Sequence, residues 1–267
     1  MQTQHSLLFT AFVAVPVLLT LAPLSRTRMP EDDLRARFEA LDSQHDVAGI
    51  VQLWKEHPDE TLGTIDSYLE GSLSKLEHDP KVDPQLLLSM KARALRGAQA
   101  ADQAFQTSIF ADYAASFASW NAAQQQGFRQ GQSLFREASK LLKAGSNEDG
   151  FEQARTSWDL ARPLGDWWGS AMALGAMARA QQALGENEAA LEFASLARLI
   201  DHDLRLIDSE YADLVVAASA AEGLERWERA LNCAQAGLAL AQQLKDSAGA
   251  SKLKEQVARI QGKLGGK

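Results

Sequence analysis

The chain has 267 residues, 46% hydrophobic, 7% aromatic and 23% charged, with a net charge of −8; this is ample for one long domain or two short ones. The acidic balance argues against a nucleic-acid binder, because neutralising phosphates takes clustered Lys and Arg, and the densest basic cluster, Lys91, Arg93 and Arg96, reads as a solvated helix face. The single cysteine, Cys233, excludes an internal disulfide and a Cys-based zinc site, and with no His or Lys beside it reads as a small buried residue.

Residues 6–24, SLLFTAFVAVPVLLTLAPL, carry no charge. That is the length of a minimal membrane span or a generous signal-peptide core. Pro16, Pro23 and the polar SRTR that follows point to a secretion signal cut near Ala22 to Ser25, which makes the mature protein periplasmic or extracytoplasmic. Arg26 and Arg28 after the apolar run, with no Lys or Arg before it, point instead to an N-out anchor with the body in the cytoplasm. A third reading starts the protein at Met29, since MPEDDLRARF opens a helix well, and leaves it cytoplasmic. Residues 1–28 are thus expected to be a signal peptide or N-terminal membrane anchor, and any membrane association runs through residues 6–24.

From Pro30 onwards the period is helical. Pro30 with Glu31, Asp32 and Asp33 puts acidic residues in a first turn, and Leu34, Phe38 and Leu41 form its apolar stripe. A second helix carries Val47, Ile50, Val51 and Trp54 and stops near His57–Pro58. A third carries Leu62, Ile65, Leu69, Leu73 and Leu76 and ends at HDPKVDP (78–84); a fourth runs from Pro84 to about Phe105. A fifth has Phe110, Tyr113, Phe117 and Trp120. No stretch sustains β alternation, so the fold class is all-α, with a less regular helical region over residues 30–127.

Three later stretches align without gaps: FEQARTSWDLARPLGD (151–166), NEAALEFASLARLIDH (187–202) and WERALNCAQAGLALAQ (227–242). Each puts Ala at its fourth position (Ala154, Ala190, Ala230), the first interval between these alanines being a little shorter than the second. A second echo, LARPLGDWWGSA (160–171) against LAQQLKDSAGAS (240–251), shares Leu, Asp and Gly at the same offsets. The pattern resembles the tetratricopeptide repeat family in its longer-period variants, over about residues 130–262. In the middle unit, residues 170–202, Gly185 falls on the family's turn glycine and Ala190 on its inter-helix alanine. The family's Trp, Tyr and closing Pro are replaced there. The resemblance implies antiparallel helical hairpins stacked as a right-handed solenoid over residues 128–264, with SAGASKLKEQVARIQGKL (247–264) as the polar-faced capping helix.

No H-E-x-x-H, G-x-S-x-G, Walker or dinucleotide pattern occurs, so no enzyme, cofactor or metal site is expected. DHD (201–203) reads as a solvated helix end, because adjacent helical residues point in different directions. The resemblance implies a noncatalytic scaffold that holds a peptide or partner protein in a groove lined by each unit's first helix. By register the groove positions are Arg136, Ser139 and Lys143, then Met172, Gly175, Arg179 and Gln182, then Ala212, Val215, Ser219 and Glu222. Arg136, Lys143 and Arg179 make one end basic, suited to an acidic peptide or a carboxylate terminus. The alternative is a small-molecule carrier or enzyme with its site in helices 59–127, where SIFADYAASFASW (108–120) clusters aromatics. In PLGDWWGSA (163–171), Asp166 is the expected N-cap of a helix beginning near Ala171. One of Trp167 and Trp168 is expected in the seam between units, and the other half exposed at the groove edge.

Overall fold

The computed structural model describes residues 31–266, so the leader reading of residues 1–28 lies outside the described residues. Local signals set the first five helices where the periodicity puts them: α1 (Glu31–Ser43), α2 (Val47–Glu56), α3 (Pro58–His78), α4 (Pro84–Phe105) and α5 (Ile109–Ser119). Proline sits in the first turn of both α3 and α4, where its missing N–H costs nothing. Seven more follow: α6 (Ala122–Lys143), α7 (Asn147–Ala161), α8 (Trp167–Leu184), α9 (Asn187–Asp203), α10 (Ile207–Gly223), α11 (Trp227–Gln243) and α12 (Ser247–Gly265). No strand occurs among the described residues, the chain is all-α, and consecutive helices pack on one another.

The second half has a strict cadence. Helices α7 to α12 start at Asn147, Trp167, Asn187, Ile207, Trp227 and Ser247, at one constant interval. Just before each start stands a left-handed residue: Gly145, Gly165, Gly185, Arg205, Glu225 and Lys245. The residue after it donates its N–H back to the carbonyl five positions earlier, as in Ser146 to Leu141, Glu186 to Gln181 and Asp246 to Ala241. These are Schellman closures, which satisfy the orphan carbonyls of each helix end and turn the chain to the next. Asp46, Asp166 and Asp246 add an N-cap by accepting from the amide three positions on, that of Gly49, Gly169 and Gly249. A Cβ at any of those three glycines would collide with the capping carboxylate, which is why D-x-x-G recurs. The helix after Asp166 accordingly begins at Trp167, a turn earlier than Ala171.

This cadence revises the alignment of the units. Equivalent helices are α7, α9 and α11, so the equivalent small buried positions are Gly150, Ala190 and Ala230, and one turn later Ala154, Ala194 and Ala234. Matching Ala154 to Ala190 therefore sets the first unit one helical turn out of step. With the helix starts in step, Met172, Gly175, Arg179 and Gln182 correspond to Gln132, Phe135, Ser139 and Leu142 rather than to a set containing Arg136 and Lys143.

The two halves bury different material. The core of α1–α5 is aromatic and branched, with Phe38, Trp54, Tyr68, Phe110, Tyr113 and Phe117 all nearly inaccessible. Beyond Phe128 the buried positions are mostly alanine, which lets helix axes approach closely. The first core continues onto Leu204, with Leu164, Trp167 and Trp168 packed against it from the partly buried shell. The expected aromatic cluster of residues 108–120 is filled core: Phe117 stacks on Trp120 at 4.2 Å between ring centres and meets Phe128 edge-on. Lys91, Arg93 and Arg96 are not a free solvated face. Arg93 and Arg96 both donate to Asp42, which is 3% exposed, at 2.9 and 2.6 Å, and Lys91 reaches the Ala118 carbonyl. Cys233 is half-buried, and burial pushes its thiol up.

Candidate functional site

Where the aromatic half meets α6–α8, the packing leaves a cavity of about 410 Å³. Small residues open it: Gly127 and Gly131 bring no side chain from α6, and Ser157 Oγ on α7 donates to the Gly131 carbonyl at 2.9 Å, holding the two helices close. Phe128, Phe135, Met172 and Trp168 supply apolar wall, and Asp66, Glu70, Tyr113 and Asp166 bring polar groups to it. Its size falls in the range of small-ligand pockets, about 300–1,000 Å³, as does its mix of apolar wall with a few convergent polar groups.

The carboxylates differ in how they are satisfied. Glu70 is neutralised, accepting from Arg129 Nη1 at 2.7 Å and Gln132 Nε2 at 2.6 Å, while Arg129 also holds Glu77. Asp66 accepts a short 2.5 Å bond from Tyr113 Oη, and its second oxygen takes no hydrogen bond. Asp166 spends one oxygen on the Gly169 amide, 2.8 Å away, and is 5% exposed. Desolvation lifts Asp66 to about 7, with Glu70 and Asp166 adding repulsion. Desolvation likewise lifts Asp166 to about 6. Two acids of raised pKa, Asp166 buried and Asp66 half-buried, thus line one cavity with no cation between them.

Of the register-derived positions, Arg136 and Met172 meet at this cavity, Arg136 exposed at its rim and Met172 on its wall. Ser139 is half-buried and Lys143 exposed near the end of α6, away from the cavity. Gly175 is buried against Asp213 Oδ1, and Arg179 beside it reaches solvent. Desolvation pulls the Arg179 guanidinium down from its ordinary value, against the opposing charges of Asp213 and Asp201. Gln182 on α8, and Ala212, Val215, Ser219 and Glu222 on α10, are half-buried. Glu222 is bound to Arg259 and Gln256 of α12. Asp66 and Glu70 share α3 and Tyr113 lies on α5, so their meeting, with Tyr113 read only as part of an apolar stripe, escaped the sequence because no local pattern encodes contact between helices.

A second buried acidic group lies where α8, α9 and α10 meet. Asp201 is 3% and Asp213 2% exposed, so the first residue of DHD is not solvated, while His202 and Asp203 are exposed. Desolvation raises both carboxyls, with Glu210 adding repulsion at Asp201 and the Asp201 charge adding repulsion at Asp213. Glu210 accepts from His202 Nδ1 at 3.0 Å and pairs with Arg198. Among the described residues no group of three or more His, Cys, Asp or Glu is arranged to hold a metal ion, and no helix is long and apolar enough to cross a membrane.

The tryptophan pair divides its duties. Trp167 donates Nε1 to Asp112 Oδ2 on α5 at 2.6 Å and packs on the aromatic core, so it ties α8 to the N-terminal half rather than to the preceding unit. Trp168, equally half-buried, forms cavity wall. Trp167→Ala is expected to cost about 2 kcal/mol through lost packing and the lost hydrogen bond. Trp168→Ala is expected to cost less and to widen the cavity; thermal melts of the two variants check the order.

A scan against models of known protein families finds no match, and no curated protein is similar to the chain.

Proposed function

We propose that this chain is a noncatalytic interaction module, a tetratricopeptide-like right-handed α-solenoid adaptor that binds a segment of a partner protein across α6, α8 and α10. The observation that carries the reading is that α8 touches both α6 and α10, so alternate helices form one continuous layer, and the cavity opens at its α6 end. The even cadence of helix starts supports a repeat architecture, since each pair of helices buries its apolar face only against its neighbours. Met172, Arg179, Val215 and Ser219 supply the partner-facing side chains, with Arg136 at the cavity rim. An extracytoplasmic location, through residues 6–24, accompanies this proposal.

The test is a map of photo-crosslinks in a native-host extract, with the crosslinker placed singly at Met172, Val215 and Ser219 and, on the neighbouring helices, at Arg155 and Leu199. One partner peptide crosslinked from the first three positions and absent from the other two is the expected result. Crosslinks concentrated at Leu199, which is 53% exposed, would move the interface to α9 and overturn the assignment. N-terminal sequencing of the mature chain decides the fate of the leader. The cavity with its convergent acids also favours one other reading, a small-molecule carrier with no partner protein at all.

A further inference from the structure

We propose that the cavity between α3, α5, α6 and α8 takes the cationic end of an amphiphilic group, a guanidinium or ammonium on an apolar stem, with Asp66 and Asp166 as its anionic partners. This rests on the binding-module reading and names the chemistry of its anchor. Three carboxylates line the cavity, and only Glu70 has a protein cation against it, Arg129. Arg136 is the one cation on the lining, and it is exposed at the rim with no carboxylate paired to it. Asp66 and Asp166 each keep one oxygen without a hydrogen bond, and Asp166 is more than nine-tenths buried. Neither oxygen is among the buried side-chain atoms left without a partner, so both keep access to the cavity and can accept from a donor that enters it.

The walls select what that donor is attached to. Trp168, Phe135 and Met172 favour an apolar stem, and an indole face near a cation adds attraction through the negative face of its π-system. An anion is disfavoured by the same carboxylates, and a neutral apolar ligand would leave both acids unpaired. The groups that bear on Asp66 are Tyr113, Glu70, Asp166 and Arg129, and those on Asp166 are the Gly169 amide and Glu70. A cation between the two acids stabilises their charged forms, so binding releases protons around neutral pH and tightens as pH rises through the raised values of the two acids.

The experiment is titration calorimetry on the intact chain with two pairs of probes. One pair is 4-phenylbutylammonium and the isosteric neutral 4-phenylbutanol; the other is Ac-Ala-Phe-Arg-Ala-amide and its citrulline analogue. Each cationic probe is expected to bind at least tenfold tighter than its neutral partner, with proton release shown by repeating the titration in buffers of different ionisation enthalpy. Asp66→Asn and Asp166→Asn keep the oxygens that accept from Tyr113 and Gly169, so both variants fold, as their melts will show, and each is expected to lose about tenfold in cation affinity. Peptide preference over the small amine assigns the source to a partner's side chain; the reverse assigns it to a free amine. Equal binding of cation and neutral analogue, no binding of either cation, or unchanged affinity in both Asn variants overturns the proposal. If the crosslink map still places a partner on α6, α8 and α10, the module reading survives that failure; without such a map, both fall.

Discussion

Trp54→Ala is expected to lower stability by about 3–5 kcal/mol, or about 10 °C in melting temperature, and to do so without changing the cavity. Trp54 is fully buried at the centre of the N-terminal core, 5.0 Å from the ring of Phe38. Its Nε1 donates to the Gly97 carbonyl at 3.0 Å, a contact between positions far apart in sequence, so the indole joins α2 to α4 by a hydrogen bond and to α1 by ring contact. Truncation leaves a hole that neighbouring helices cannot fill, because Phe38 already lies against the smooth face at Gly97. Trp54→Phe separates the two parts: it keeps most of the packing and loses the hydrogen bond, at about 1–2 kcal/mol. A melt in which Trp54→Ala shifts the midpoint by under about 2 °C would mean the two helices are not joined there.

The second large effect is a pH dependence with an unusual sign. Asp201, Asp213, Asp66 and Asp166 are all raised above the pKa they have in an unfolded chain. Between the unfolded value, near 4, and the raised one, the folded state therefore holds protons that the unfolded state has released. Stability from this source is fully present on the acidic side and is lost as pH climbs through the folded values. On the other flank, Arg96 and Arg93 hold Asp42 low, the Tyr68 hydroxyl with Arg93 and Arg35 holds Glu39 low, and Arg259 holds Glu222 low. Those contributions are present above about pH 4 and vanish below it. The melting temperature is thus expected to peak near pH 4–5 and to fall from there to pH 8.5, by about 2–4 °C for each 1 kcal/mol lost. Asp213→Asn removes the more destabilised member of the buried pair and leaves Asp201 a neutral partner. It is expected to raise the midpoint at pH 8 and flatten the slope between pH 6 and 9. A lower midpoint at pH 8 with an unchanged slope would show that the pair contributes nothing to the dependence.

Helix existence and helix ends were legible because they are local. Pro84 opens α4 and Asp166 caps α8, each by chemistry within one turn of its own position. The register of the first unit was not, and the reason is geometric. Positions four apart lie on the same helix face, so sliding Ala154 from the position of Ala194 to that of Ala190 still sets a small side chain at the seam. Only the placed turns, left-handed and evenly spaced, separate the two alignments, and half of them use Arg205, Glu225 and Lys245 instead of glycine. A search for turn glycines therefore misses that half.

What the amino-acid sequence determined by itself is the class, the helices, and the alternation of apolar and small residues that makes them stack. Those follow from backbone propensity, capping and period, which act over a few positions. The tertiary structure alone decided where unsatisfied charge ends up. Asp66 meets Tyr113 from two helices further along the chain, and Asp166, at sequence level a plain N-cap, lines the same space. Trp168 becomes wall while its neighbour Trp167 becomes a strut to α5. Burial is a property of the assembled helices, and it is burial that turns ordinary aspartates into a site.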